Sequence, residues 1–333
     1  MTQEKRLSVD EVHQLALDQL VSKGISPIQA DAIATTVTAA ERDGCLSHGL
    51  FRIPFYVGAL KNDQLNAAAV PTVIDNPESS VIHVDGHNGF CPAALHAGFE
   101  PVMAKAKQRG IAALAIHNVY NIAALWPEVE HLAQNGFVAF AFTGANAFVA
   151  PAGGTKPLFG TNPMAFGWPR LNRPPLVFDQ ASSVCARGEI QLMKNAGETL
   201  PDGCAIDANG QPTNDPDAAL AGAQLTFGGH KGSSIALMIE LLAGALLGDA
   251  FSYESSELDT YNIGAPFGGE FLMVIDPAHG VLPGAPNNSL ERAEQLFAAI
   301  LAQEGTRLPS DRRYSTREKS EAEGIVISEI SDS

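Results

Sequence analysis

The chain reads as an α/β protein: a core sheet layered with helices, preceded by a helical N-terminal region. Amphipathic helical patterns occupy the sequence up to residue 61. Two apolar strand patterns, at 111–116 and 137–142, then alternate with helical patterns at 91–108 and 123–134, the order expected of a layered core. Hydrophobic residues make up 45% of the 333 residues and charged residues 17%. That balance excludes a disordered chain and suits one large domain or two intimately joined ones.

The elements follow from local chemistry. Ser8 and Glu11 form a capping box ahead of Val12, Leu15, Ala16, Leu20 and Val21, with Gly24 as the stop. Ser26-Pro27 starts a second helix carrying Ile28, Ile33 and Val37 towards Gly44. A third is expected from Ser47, a good N-cap type, to about Lys61. Residues 70–75 and 80–85 read as short strands. Residues 151–163, rich in glycine and proline, read as a loop suited to close backbone approach to a ligand. Residues 176–179 look like a strand feeding a helix capped within Ser182-Ser183. Residues 202–221 form a polar surface segment, followed by an apolar helix at about 233–247 and a strand at 271–275. The last clear helix is 288–303, and a charged tail ends in the apolar residues 325–327.

The net charge of −16 and the lack of a dense basic run argue against nucleic-acid binding. Small acidic substrates are not excluded, since local arginines can outweigh the overall field. Cys45, Cys91, Cys185 and Cys204 are widely spaced, and are expected to be buried or incidental thiols of a reducing compartment. The first residues lack an apolar signal core, and no segment has membrane-spanning length, so the expected location is the cytoplasm.

The most informative stretch is 41–56. It sets His48, Arg52 and Tyr56 at i, i+4 and i+8 behind Ser47, on one face of the expected helix. Imidazole exchanges protons near neutral pH, and a guanidinium can hold a carboxylate by two parallel hydrogen bonds. The combination suggests proton transfer to a small organic acid; the bland alternative is a capped surface helix with solvated charges. Dinucleotide and Walker fingerprints are absent, as are the zinc and nucleophile-elbow spacings, so no metal site is expected.

The pattern D-G-x-x-S-H-G-x-x-R-x-x-x-Y at 43–56 resembles the signature of the malate/L-lactate dehydrogenase-like oxidoreductases, which are non-Rossmann NAD(P)-dependent reductases. Similar blocks recur at 159–166 (FGTNPMAF), 178–183 (FDQASS), 227–232 (FGGHKG) and 308–314 (LPSDRRY), so the resemblance spans almost the whole chain. Within the family it looks closest to the ketimine reductases acting on Δ1-piperideine-2-carboxylate and Δ1-pyrroline-2-carboxylate. The run AALWP at 123–127 is like theirs, and Glu189 is an acid where the malate and lactate branches carry lysine. Their residue there is aspartate, so glutamate departs by one methylene.

The resemblance implies an α/β fold with a mixed, largely antiparallel cofactor-binding sheet. It divides the chain into a substrate and dimerisation part, 1–118 with 290–333, and an NAD(P)-binding part, 119–289. It implies His48 as proton donor with Ser47 and Glu189 as relay partners, and Arg52 on the substrate carboxylate. Thr161, Arg187 and Gly188 would line the same pocket. The cofactor would meet Asn121, Ile122, Ala123, Ala124, Leu125, Asp179, Gln180, Ala181, His230, Lys231, Arg307, Leu308, Pro309, Ser310, Asp311, Arg312 and Arg313. For Asp179 the alternative is a helix cap at a strand end.

The family's histidine ahead of the Ala-Ala-Leu segment is replaced here, where Tyr120 and Asn121 stand. His48 is then expected to serve alone, with a Tyr120 hydroxyl as the alternative. The implied activity is reduction of a cyclic 2-imino acid by NADPH, with NADH as the other candidate donor, in a homodimer. Reduction of a 2-oxo acid to a malate- or lactate-type 2-hydroxy acid is the runner-up. A dinucleotide-binding protein without catalysis is a third reading.

Overall fold

The computed structural model describes residues 5–261, 263–282 and 288–327. The chain opens with β1 (Lys5–Leu7) and the helices α1 (Val9–Ser22), α2 (Pro27–Arg42) and α3 (Ile53–Ala59). The capping box forms as expected: Glu11 N donates to Ser8 Oγ at 3.2 Å, and Ser8 N to the Glu11 carboxylate at 2.7 Å. Val12, Ala16 and Leu20 of α1 pack on Ala30, Ile33 and Val37 of α2, building one apolar core.

The expected helix from Ser47 does not form. Two single 3-10 turns, Leu46–His48 and Leu50–Arg52, precede α3 instead. Gly49 between them adopts ψ −144, which breaks the helical run, and the Glu41 carboxylate takes the Leu50 N–H at 2.7 Å. Ser47 is therefore not an N-cap.

The central sheet is built from β2 (Thr72–Asp75), β3 (Val81–Phe90), β4 (Ile111–Tyr120), β5 (Val138–Thr143), β6 (Met164–Trp168), β7 (Leu176–Gln180) and β11 (Phe267–Ile275). Its order is β2-β3-β4-β11-β5-β6-β7 among the described residues. Every neighbouring pair is antiparallel except β3 and β4. This is the expected mixed, largely antiparallel sheet. The parallel pair needs a crossover, which α4 (Cys91–Arg109) supplies. Its strands come from both sides of the boundary expected at 118/119.

One face of the sheet is covered by α4 and α5 (Trp126–Gln134), over Val84, Leu114, Ile116, Ala141 and Leu272. At Gly167 of β6 a Cβ would lie 2.4 Å from Val129 O, so only glycine lets α5 sit this close. The other face, with Phe142 and Phe271, receives Ile239 from α8 (His230–Ile239). The apolar helix expected at 233–247 is thus real, but it finishes as a π-helical turn over Glu240–Ala245.

Between β7 and α8 lie α6 (Arg187–Ala196), β8 (Ala205–Ile206), β9 (Pro212–Thr213), α7 (Pro216–Ala221) and β10 (Ala223–Gln224). The helix after β7 starts at Arg187, not at the serines. Ser182 Oγ instead donates to the carbonyls of Thr161 and Asn162, and Ser183 Oγ to that of Cys185. Cys185 and Cys204 form a disulfide, correcting the expectation of free thiols. Spacing along the chain hid the pair, which α6 and the return to β8 bring to a Cα separation of 5.8 Å.

The chain continues through α9 (Ser252–Leu258), α10 (Ser289–Leu301, capped by Asn288), α11 (Asp311–Glu323) and β12 (Ile325–Ile327). The charged tail is mostly α11, which carries polar partners rather than an apolar stripe and so has no helical signature in the sequence. β12 pairs antiparallel with β1, joining the two ends of the described chain. No helix among the described residues is long and apolar enough to cross a membrane.

Candidate active site

The turn after α2 gathers the predicted catalytic side chains. Ser47 Oγ lies 3.0 Å from His48 Nδ1, and Arg52 Nε donates to the Ser47 carbonyl at 2.7 Å. The Arg52 guanidinium also stands 5.0 Å from the Phe55 ring centroid, a cation–π contact that steadies a long side chain. Gly49 is required: a Cβ there would lie 2.3 Å from Glu41 Oε1, the carboxylate that holds the turn. Burial, and then the neighbouring Arg52 charge, push the His48 imidazole down to about 4. It is therefore neutral near pH 7 in the free protein.

The start of α6 closes on this turn. A Cβ on Gly188 would be 3.5 Å from Arg52 Nη2 and 3.9 Å from Ser47 Cβ. Ser47, His48, Arg52 and Gly188 thus share one small site. Arg187 beside them stacks on Phe148 at 3.8 Å and donates to the Leu220 carbonyl. Glu189 does not join the imidazole. Its carboxylate accepts from Ala186 N at 3.0 Å, and no hydrogen bond links it to His48 among the described residues. Thr161 meets Ser182 through its carbonyl. Tyr120 is buried, and its hydroxyl accepts from Asn62 at 3.0 Å within the N-terminal core.

The predicted cofactor segments fall in three places. Asn121 Oδ1 accepts from Ala123 N at 3.0 Å, shaping the 121–125 segment in which Ile122, Ala124 and Leu125 are buried. Asp179 accepts from Leu125 N at 2.9 Å and Trp126 N at 3.1 Å, so it caps the start of α5. Burial raises its carboxyl to about 6, opposed by those two bonds and by Arg313. Exposed Gln180 ends the same strand, and half-buried Ala181 follows it.

His230 and Lys231 open α8, both exposed, after Gly228 and Gly229 at φ 57 and 61. The bridge between Ser183 and Thr226 brings this helix start beside the end of β7. Two successive glycines at positive φ and an exposed lysine at a helix start suit a phosphate, so the residues present fit a dinucleotide.

In the third place, Arg307, Pro309 and Arg312 are exposed, whereas Leu308 is buried against Phe297 and Leu176. Asp311 accepts from Leu308 N at 2.8 Å, and Ser310 Oγ bonds the Val177 backbone. Arg313 lies 4.3 Å from the Trp126 ring.

Sequence reading missed what ties these places together. Asp43 has no exposed side-chain surface and pairs with Arg42 at 2.7 Å and Arg317 at 2.5 Å. Arg317 also meets Glu130 at 2.8 Å, linking α11, α5 and the entry to the turn that carries His48. Asp43 opens the motif and Glu41 lies just ahead of it, yet only their placement reveals these roles. A cavity of about 470 Å³ between α2, α4 and α5 contains none of the predicted site residues.

A non-Rossmann reductase architecture, with an imidazole and a guanidinium on one turn, defines the class. The profile of the malate/L-lactate dehydrogenase family matches residues 7–331, and the chain belongs to that family. Delta(1)-pyrroline-2-carboxylate reductase of Ancylobacter novellus is 46% identical, over 98% of this chain and 95% of its own. The Delta(1)-pyrroline-2-carboxylate/Delta(1)-piperideine-2-carboxylate reductase of Pseudomonas aeruginosa is 47% identical, over 97% and 96%. The crystal structure of delta1-piperideine-2-carboxylate reductase from Pseudomonas syringae pv. tomato superposes with a TM-score of 0.92 at 41% identity, covering 97% of this chain and 96% of that one.

Proposed function

We propose that this chain reduces cyclic 2-imino acids, Δ1-pyrroline-2-carboxylate to L-proline and Δ1-piperideine-2-carboxylate to L-pipecolate. The reading rests on one observation: Ser47, His48 and Arg52 share a turn closed by Gly188. The relatives' names support the substrate class. NADPH is the proposed donor, with Lys231, Arg307 and Arg312 as exposed cations for its phosphates and NADH as the alternative. When bound, the reduced nicotinamide supplies a hydride.

Arg52 binds the substrate carboxylate and so fixes which face of the ring is presented, an orientation effect of many powers of ten in favourable cases. The incoming carboxylate also offsets the Arg52 charge that depresses His48. The imidazole becomes a better proton holder only when substrate is present. From there it donates a proton to the ring nitrogen as general acid, with Ser47 fixing the ring through Nδ1. Glu189 enters the proposal as a charge near the site that acts without a direct bond to the imidazole. Thr161 and Arg187 line the pocket, and the 121–125, 179–181 and 307–313 segments hold the cofactor. The proposal includes the two-part division at 118/119 and 289/290 and a cytoplasmic homodimer, with the Cys185–Cys204 bond as the observation that pulls against a reducing compartment.

The test is steady-state kinetics with both imines, pyruvate and both reduced cofactors. Imine turnover above pyruvate turnover is expected; the reverse order would move the assignment to 2-oxo acids. Dinucleotide binding with no turnover of either would leave a binding protein. His48→Ala should lower kcat/KM by about a hundredfold or more, and a loss below about tenfold would remove the acid role.

A further inference from the structure

Two carboxyl groups meet in the interior beneath Asn121. Glu270 of β11 has no exposure and Glu128, in the first turn of α5, has 4%. Their carboxyl groups lie within hydrogen-bonding reach of each other. Carboxylates only accept, so a hydrogen bond between the two requires a proton on one of them. Glu128 Oε2 and Glu270 Oε1 are each buried with no hydrogen-bond partner, an arrangement that a proton shared between the two would satisfy. No lysine or arginine forms an ion pair with either among the described residues.

The surroundings favour one negative charge, not two. Cys91 of α4 donates its thiol to Glu270 Oε2 at 3.2 Å, and Asn121 Nδ2 donates to the same oxygen at 2.6 Å. Asp179 of β7 and Tyr56 of α3 are the other titratable groups facing the pair, and neither brings a positive charge. Two desolvated carboxylates in contact cannot both ionise. Glu270, with its donors, is the natural anion, leaving Glu128 as the acid. Burial raises both groups, Glu128 the more firmly because its bond to Glu270 favours its protonated form.

Asn121 connects this pair to the proposed cofactor segment. Its Nδ2 is held by Glu270 while its Oδ1 takes the Ala123 N–H, so the amide has a single workable orientation. We propose that Glu128 and Glu270 hold one proton between them and, through Asn121, fix the 121–125 turn against which the dinucleotide binds. They are positioning residues and touch no reacting atom. The functional half of this inference rests on the cofactor reading above; the shared proton does not.

Infrared spectroscopy of the full-length protein near pH 8 tests the proton directly. A protonated-carboxyl C=O stretch should be present and should vanish in Glu128→Gln. Its absence, or its survival in that variant, overturns the shared proton. Fluorescence titration with NADPH tests the second half without requiring turnover. Glu270→Gln and Asn121→Ala should weaken binding about tenfold, the scale of one lost charge-assisted hydrogen bond. KM for the dinucleotide should rise more than kcat falls. Glu128→Gln, whose amide still donates to Glu270, should restore binding to within about threefold of wild type. Unchanged binding in Asn121→Ala, which leaves the pair intact even if Glu270→Gln fails to fold, overturns the positioning role. If wild type binds no dinucleotide, the cofactor reading and this positioning role fall together, while the infrared result stands.

Discussion

Replacing His48 by glutamine should make the protein less sensitive to acid, contrary to what a histidine in an ion pair would predict. The folded imidazole is held at about 4, against 6.5 for the free group, first by burial and then by Arg52. Between those values the unfolded chain binds more protons than the folded one. The contribution is therefore neutral above about pH 6.5 and becomes destabilising as pH falls towards the folded value. At about pH 5 the unfolded ring is almost fully protonated and the folded ring almost fully neutral. The linkage amounts to about 2 kcal/mol, an upper value because the ring keeps some exposure. Urea unfolding of wild type and His48→Gln near pH 7.5 and pH 5 isolates it, since other titrating groups cancel between the two proteins. Wild type should lose about 2 kcal/mol more than the variant on acidification. Equal losses would refute a buried neutral imidazole, and with it the dependence of its proton on substrate binding.

The same coupling separates two kinetic profiles: the alkaline fall in kcat should lie at higher pH than that in kcat/KM, because bound carboxylate offsets Arg52. Coincident breaks would show that Arg52 does not govern His48. Arg317→Met removes the ion-pair partner of Glu130 and one of those of Asp43, which keeps Arg42. About 3 kcal/mol should be lost. With an unfolding entropy of roughly 2.1 cal/mol/K per residue this lowers Tm by about 4 °C, and a shift under about 1 °C would show the network to be unimportant. Gly49→Ala drives a methyl into the Glu41 carboxylate, so urea unfolding should show a loss of about 1–3 kcal/mol together with reduced turnover.

Local chemistry alone determined a good part of this molecule. The capping box, the proline-led start of α2 and the apolar strands around 111 and 137 depend on near neighbours in sequence, and they appear where expected. The site was legible as residue types in a motif, and Ser47, His48 and Arg52 do come together. Their geometry was not legible, because the turn is set by a carboxylate from the preceding helix and by a glycine that must clear it. Helix α11 lacks an apolar stripe; its polar face is held by Asp43 and Glu130, distant in sequence. The Cys185–Cys204 bond and the carboxyl pair of Glu128 and Glu270 have the same origin. Short-range preferences act over a few residues and can be read from order alone. Pairing of buried charges and thiols requires groups tens to hundreds of positions apart to share a volume without water, and only the folded chain creates that volume.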